Sequence, residues 1–146
     1  MIKKILILIS ALFILSSCKS NLEVLSAKKK IVYPGLANQK PYTKFVIEIK
    51  AKNPVIAKID SIVLVENNKC YKVDFLLSSK TSATFLKEVS KSGNYSIEAL
   101  LKEGKYKELN NCSNAENGKL TIFYKINNEN KKLEVDSFTT EKEFKR

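Results

Sequence analysis

Chemistry in this chain has to be done without imidazole. Its 146 residues contain no His and no Trp, three Cys, six Tyr, and 26 basic against 15 acidic residues, for a net charge of +11. His is the commonest general base, metal ligand and pH switch. Its absence excludes Ser-His and Cys-His nucleophile pairs and zinc sites that need imidazole. No G-x-S-x-G elbow, phosphate loop or dinucleotide fingerprint occurs. Ser26-Ala27-Lys28-Lys29 fits S-x-x-K formally, but the S-D-N and K-T-G partners of that chemistry are missing. A pair of carboxylates can run glycoside hydrolysis, yet the strand pattern puts Asp60, Asp74 and Asp136 on wet faces or in loops. The chain therefore reads as a non-enzyme, with no cofactor and no metal.

The positive charge is lysine charge. Arg146 is the only arginine, and arginine is the residue of bidentate base and phosphate recognition, so nucleic acid is not the expected partner. Anionic lipid head groups or envelope glycans are the partners that point charges of this kind favour. Lys28-Lys29-Lys30 is the longest basic run and the candidate for such a surface. Among the tyrosines, Tyr71, Tyr95 and Tyr124 fall on apolar parities and are expected in the core. Tyr33, Tyr42 and Tyr106 lie nearer loops and are the candidates for stacking on a sugar. Asp60-Ser61-Ile62 matches a short O-glycosylation pattern, which mid-strand burial would block.

The N-terminus carries an address. Lys3 and Lys4 precede an apolar run, Ile5 to Leu15, broken only by Ser10. Positive charge, a short apolar segment and then small residues is the order of a secretory signal peptide, and the run falls short of the ~20 residues that span a bilayer. Leu15-Ser16-Ser17-Cys18 then resembles the lipobox of bacterial lipoproteins. That resemblance covers residues 1 to 18 and implies cleavage between Ser17 and Cys18, with acyl chains on Cys18. More than one chain matters, because a single chain holds a protein at a membrane only marginally. Residues 1–17 are then the signal peptide, 18–21 the acylated Cys and a short tether, and 22–146 the folded domain. Lys19-Ser20-Asn21 lacks the Asp that favours inner-membrane retention in enteric lipoproteins. The resemblance thus implies the cell envelope, with the periplasmic face of the outer membrane first. Lys28 to Lys30 would sit near the anchor, within a Debye length of ~8 Å of anionic head groups.

With Cys18 set aside, Cys70 and Cys112 remain, and an even remainder in an exported protein reads as a disulfide. Cys70 lies on the parity opposite its strand's core residues and Cys112 in a long loop, so the bond should pin that loop to a sheet rather than lie in the core.

The elements that must position these groups are strands. Thr43, Phe45, Ile47, Ile49 and Ala51 alternate with Lys44, Val46, Glu48, Lys50 and Lys52, one face buried and one wet. Residues 70–77, 95–101 and 120–126 repeat the period of two, and Ile59 to Val65 is apolar on both parities in its middle, as suits a central strand covered on both sides. Residues 22–33 supply a first strand; Leu133 and Val135 begin another, which Phe138 to Phe144 extend or follow with one more. Pro34-Gly35, Asn53-Pro54, Asn67-Asn68 and the four residues 127–130 mark turns. Residues 83–91 suggest one short helix, and 103–118 the longest irregular stretch. The whole predicts a single antiparallel immunoglobulin-like β-sandwich of seven or eight strands, with a small lipocalin-type barrel as the alternative. An immunoglobulin domain proper would want a core Trp between its cysteines, which this chain lacks.

The sequence thus reads as an acyl-anchored envelope lipoprotein acting as a non-catalytic binding or structural module, with an envelope protein or anionic lipid or glycan as partner. A small-ligand carrier barrel and an inhibitor of an envelope-directed enzyme are the alternatives. The second is disfavoured for lysozyme, which is itself basic.

Overall fold

The computed structural model describes residues 21–52, 56–112 and 116–146. The expected signal segment, with Ser17 and Cys18, and the turn expected at Asn53-Pro54 lie outside the described residues. Within them the chain is all-β, with no helix. In order the strands are β1 (Leu22–Tyr33), β2 (Tyr42–Ala51), β3 (Ala57–Glu66), β4 (Lys69–Ser79), β5 (Ser82–Leu86) and β6 (Glu88–Val89). They continue as β7 (Gly93–Leu101), β8 (Tyr106–Leu109), β9 (Leu120–Ile126), β10 (Glu129–Val135) and β11 (Thr139–Phe144).

The strands form one curled open sheet in the order β10-β9-β3-β4-β7-β2-β1-β11, with β5 and β8 on β4 and β6 on β3. The curl happens in β4. Its first half, through Val73, pairs with β3 and β8, and its second half, from Asp74, pairs with β7. One strand thereby serves two layers. The inner faces meet where the period of two puts the apolar side chains: Phe45, Ile47, Ile49 and Ile97 cluster with Ile62, Leu64, Leu120 and Ile122. Each such fully buried side chain contributes about 1.5–3 kcal/mol of transfer free energy.

Several expectations are corrected. The helix expected over 83–91 is two short edge strands, β5 on β4 and β6 on β3. Nine residues carry too little periodicity to separate the two states, and the open edges of β4 and β3 decide it. The irregular stretch at 103–118 contains β8, and the strand count rises to eleven through such short pieces. The sheet is mixed rather than wholly antiparallel, because β11 joins β1 in parallel, Lys28 opposite Thr139 through Tyr33 opposite Phe144. The turn at 127–130 is tighter than a four-residue loop. Asn127 and Asn128, at φ 50° and 63°, make a two-residue hairpin, as do Asn67 and Asn68 at 51° and 61°; Asn tolerates the left-handed region such turns require.

Two further contacts shape the surface. Val65, off the core parity of β3, is covered by the 116–119 segment through Val65 N–H to Lys119 O at 2.9 Å and Gly118 N–H to Val65 O at 2.7 Å. Gly35 lies against the C-terminal backbone, where a Cβ would stand 2.6 Å from Lys145 O. Together with Lys145 N–H donating to Tyr33 O at 2.9 Å, this seats the β1–β2 loop on the end of the chain.

The β1–β2–β7 register defines two ends. Leu22 pairs with Ala51 at the end where the chain enters, and Val32 with Tyr42 and Thr43 with Leu101 at the opposite end. At about 3.3 Å per residue, the ten steps from Leu22 to Val32 span roughly 33 Å.

Candidate functional site

Lys28, Lys29 and Lys30 sit in mid-strand on β1, and each ammonium faces a carboxylate. Lys28 Nζ lies 2.9 Å from Glu141, and Lys30 Nζ 3.7 Å from Glu143 and 4.0 Å from Glu141. Hydrogen bonding to Glu141 raises the pKa of Lys28, and the same bond lowers that of Glu141. Lys29 differs from the expected wet position. A bulge between Val24 and Ser26 shifts the register, so Lys29 pairs with buried Phe45 on the inner face. From there its ammonium reaches across to Glu66 Oε1 on β3 at 2.7 Å and lies 5.8 Å from the Phe45 ring centroid. Lys29 is a cross-layer strut.

Cys70 and Cys112 are joined, with Cα atoms 5.8 Å apart, inside the usual range for a bridge. Cys70 is buried opposite Val65 and Leu109 and stands outside the main core cluster. The bond therefore ties the segment after β8 to the second layer, as its parity implies.

The loop tyrosines separate. Tyr33 stacks on Phe144 at the β1–β11 edge, centroids 4.9 Å apart and planes 14° apart. Tyr42 and Tyr106 line one surface groove of about 760 Å³ at the end remote from Leu22. Tyr42 opens β2 directly after Pro41. Tyr106 opens β8 directly after a turn closed by Lys105 N–H to Lys102 O at 2.8 Å, with Gly104 at φ 80°. Tyr71, expected in the core, is only half-buried and forms the groove's third ring, edge-on to Tyr106 at 5.2 Å and 80°. It shares the core parity, but β4 is leaving one layer for the other there, which alternation along a single strand cannot disclose. Tyr95 and Tyr124 are buried as expected.

Cations stand in the groove, as Lys40 and Lys102, and beside its Tyr42, as Lys145. Lys102 Nζ lies 5.0 Å and Lys145 Nζ 5.9 Å from the Tyr42 ring centroid, and Lys40 is in the wall. Hydrogen bonding to the Tyr42 hydroxyl raises the pKa of Lys145. Glu103 is the carboxylate of the lining.

A neighbouring cleft of about 560 Å³ shares Tyr106 and holds Asp60 and Asp74. Sequence parity did not bring these two carboxylates together; the change of layer in β4 does. Each is turned toward its own lysine, Asp60 to Lys125 at 3.6 Å and Asp74 to Lys105 at 4.0 Å. They form separate surface ion pairs, whereas a hydrolytic pair needs both groups aimed at one bond. Ser61, beside Asp60, is half-buried at a register shift in β3.

No protein-family model matches the chain, and no curated protein matches it in sequence.

Proposed function

We propose that this protein is an exported lipoprotein, acylated on Cys18 after cleavage behind Ser17, and that its β domain is a non-catalytic binding module. The outer membrane, on its periplasmic face, is the preferred site. One observation carries the binding half of the reading: three tyrosines from β2, β4 and β8, distant in sequence, meet lysines in one groove at the end of the sheet remote from Leu22. Leu22, where β1 begins, stands at the other end, roughly 33 Å of strand from Val32, which pairs with Tyr42. Filled packing between the layers, by Phe45, Ile47, Ile62, Leu64 and Ile122, favours surface binding over a carrier with an internal chamber. The three mid-strand lysines, each facing a carboxylate, give the groove the stronger claim to an anionic partner.

Metabolic labelling with an alkynyl fatty acid tests the anchor. Label should appear in the wild-type chain and vanish in Cys18→Ser, which should accumulate as a precursor of higher mass. Equal labelling of both would end the lipoprotein reading.

A further inference from the structure

We propose that the groove takes an anionic oligosaccharide, one whose sugar rings carry carboxylate or phosphate groups. This deepens the binding-module reading and rests on it. The first argument is unspent charge. Lys28, Lys29, Lys30 and Lys44 each stand within 4.0 Å of a carboxylate. Lys40, Lys102 and Lys145, like several other lysines among the described residues, have no carboxylate that close; what sets two of them apart is a ring. Two of these three flank a single ring, Tyr42. An anionic substituent held beside Tyr42 would attract both ammonium groups: neither has a carboxylate within 4.0 Å among the described residues, while Glu143 and Glu98 act on Lys145 only from farther away and its hydrogen bond goes to the Tyr42 hydroxyl.

The second argument is the aromatic surface. Tyr106 is 41% exposed and braced edge-on by Tyr71, so its free surface is apolar and held in place. Tyrosine offers a large rigid face at low entropic cost, with a hydroxyl at its edge. Such a face suits the C–H side of a sugar ring. Asn38 and Gln39, in the loop seated by Gly35, add amide donors and acceptors for hydroxyl groups.

The third argument sets the selectivity. Lysine is a point charge without arginine's planar fork, so carboxylate and phosphate should be accepted alike, and binding should weaken as salt rises.

The test uses the whole chain in non-ionic detergent, titrated with trigalacturonate and phosphorylated maltotriose, and with their uncharged counterparts galactotriose and maltotriose. Acetate and inorganic phosphate test the anion alone. At least one charged sugar should bind tenfold or more tighter than both its neutral counterpart and the free anion. Lys102→Gln with Lys145→Gln should weaken it about tenfold, and Tyr106→Ala at least threefold. Lys28→Gln with Lys30→Gln should leave it within twofold. Thermal melting of each variant separates a lost site from a lost fold. Binding of neither charged sugar, or equal binding of the free anions, overturns the proposal. So does an equal loss in the Lys28/Lys30 variant, which would assign the affinity to net charge. The Cys18→Ser chain should bind like wild type, so failure of the anchor and failure of the groove are read separately.

Discussion

Breaking the Cys70–Cys112 bond should be the costliest single chemical change available in the domain. The two residues are 42 apart in sequence, and the loop between them holds all of β4 after Cys70 together with β5 through β8. Closing a loop of that length removes denatured-state entropy worth about 4 kcal/mol at 25 °C on the chain-entropy model. Native stability of a domain is only about 5–15 kcal/mol, so the bond is a large share of it. Cys112→Ser should therefore lower the free energy of unfolding by about 4 kcal/mol. With a urea slope of about 1–3 kcal/mol/M, the midpoint should fall by roughly 2 M. Melting should drop by roughly 15 °C at about 3–6 °C per kcal/mol. Wild type unfolded in excess reductant should coincide with the variant, because both lose the same constraint. Intact mass of the unreduced, alkylated protein is the companion measurement: no adduct is expected on Cys70 or Cys112. Two adducts, or a stability loss below about 1 kcal/mol for Cys112→Ser, would refute the reasoning.

The cross-layer strut gives a second expectation. Among the described residues Glu66 Oε2 is buried without a hydrogen-bond partner, and the Lys29 and Glu66 side chains are 27% and 24% exposed. Lys29→Met should cost about 1–3 kcal/mol by stranding the Glu66 charge, and adding Glu66→Leu should recover most of it, because a matched apolar pair often replaces an ion pair at little loss. Chemical denaturation of the two variants decides it, and a double mutant weaker than the single would count against the strut. The pH dependence has a definite sign. Hydrogen bonds from Lys52, Lys80, Lys119 and Lys28 lower the pKa values of Glu23, Glu48, Glu134 and Glu141 from 4.5. Their contribution is present above pH 4.5 and lost as pH falls through the lowered values. Lys28, Lys69 and Lys119, raised from 10.5 by Glu141, Glu108 and Glu134, contribute below 10.5 and lose this as pH rises through the raised values. Melting temperature should hold between these limits and fall outside both; a midpoint still rising below pH 4 would contradict the pairing.

Local pattern settled most of the strands. Alternation at 43–51 and 120–126 fixes which side chains are buried, since a one-residue slip would turn every apolar group to water. β1 spans the expected residues 22–33, because Pro34 and Gly35 end it by chemistry that needs no partner. The Asn pairs mark tight turns for the same reason, and the count of cysteines implied their bond. Residues 83–91 were illegible because a short polar-rich segment has no preference strong enough to outweigh an open sheet edge, and which edges stand open is a property of the whole sheet.

The sequence by itself determined the class of residues available: no imidazole, an excess of lysine, and tyrosines scattered along the chain. Its alternation also determined an all-β fold, because a side-chain period of two is a property of each strand alone. Only the tertiary structure decided which lysines are free. Lys29 became internal through a bulge and a carboxylate 37 residues away. Lys102 and Lys145 came to stand beside Tyr42, Lys145 because β11 runs parallel to β1 and brings the C-terminus to that end. Tyr42, Tyr71 and Tyr106 became one surface only because β4 passes from one layer to the other, carrying β8 with it. Ion pairing and groove formation depend on distances between residues remote in sequence, and those distances come into being when the sheet curls.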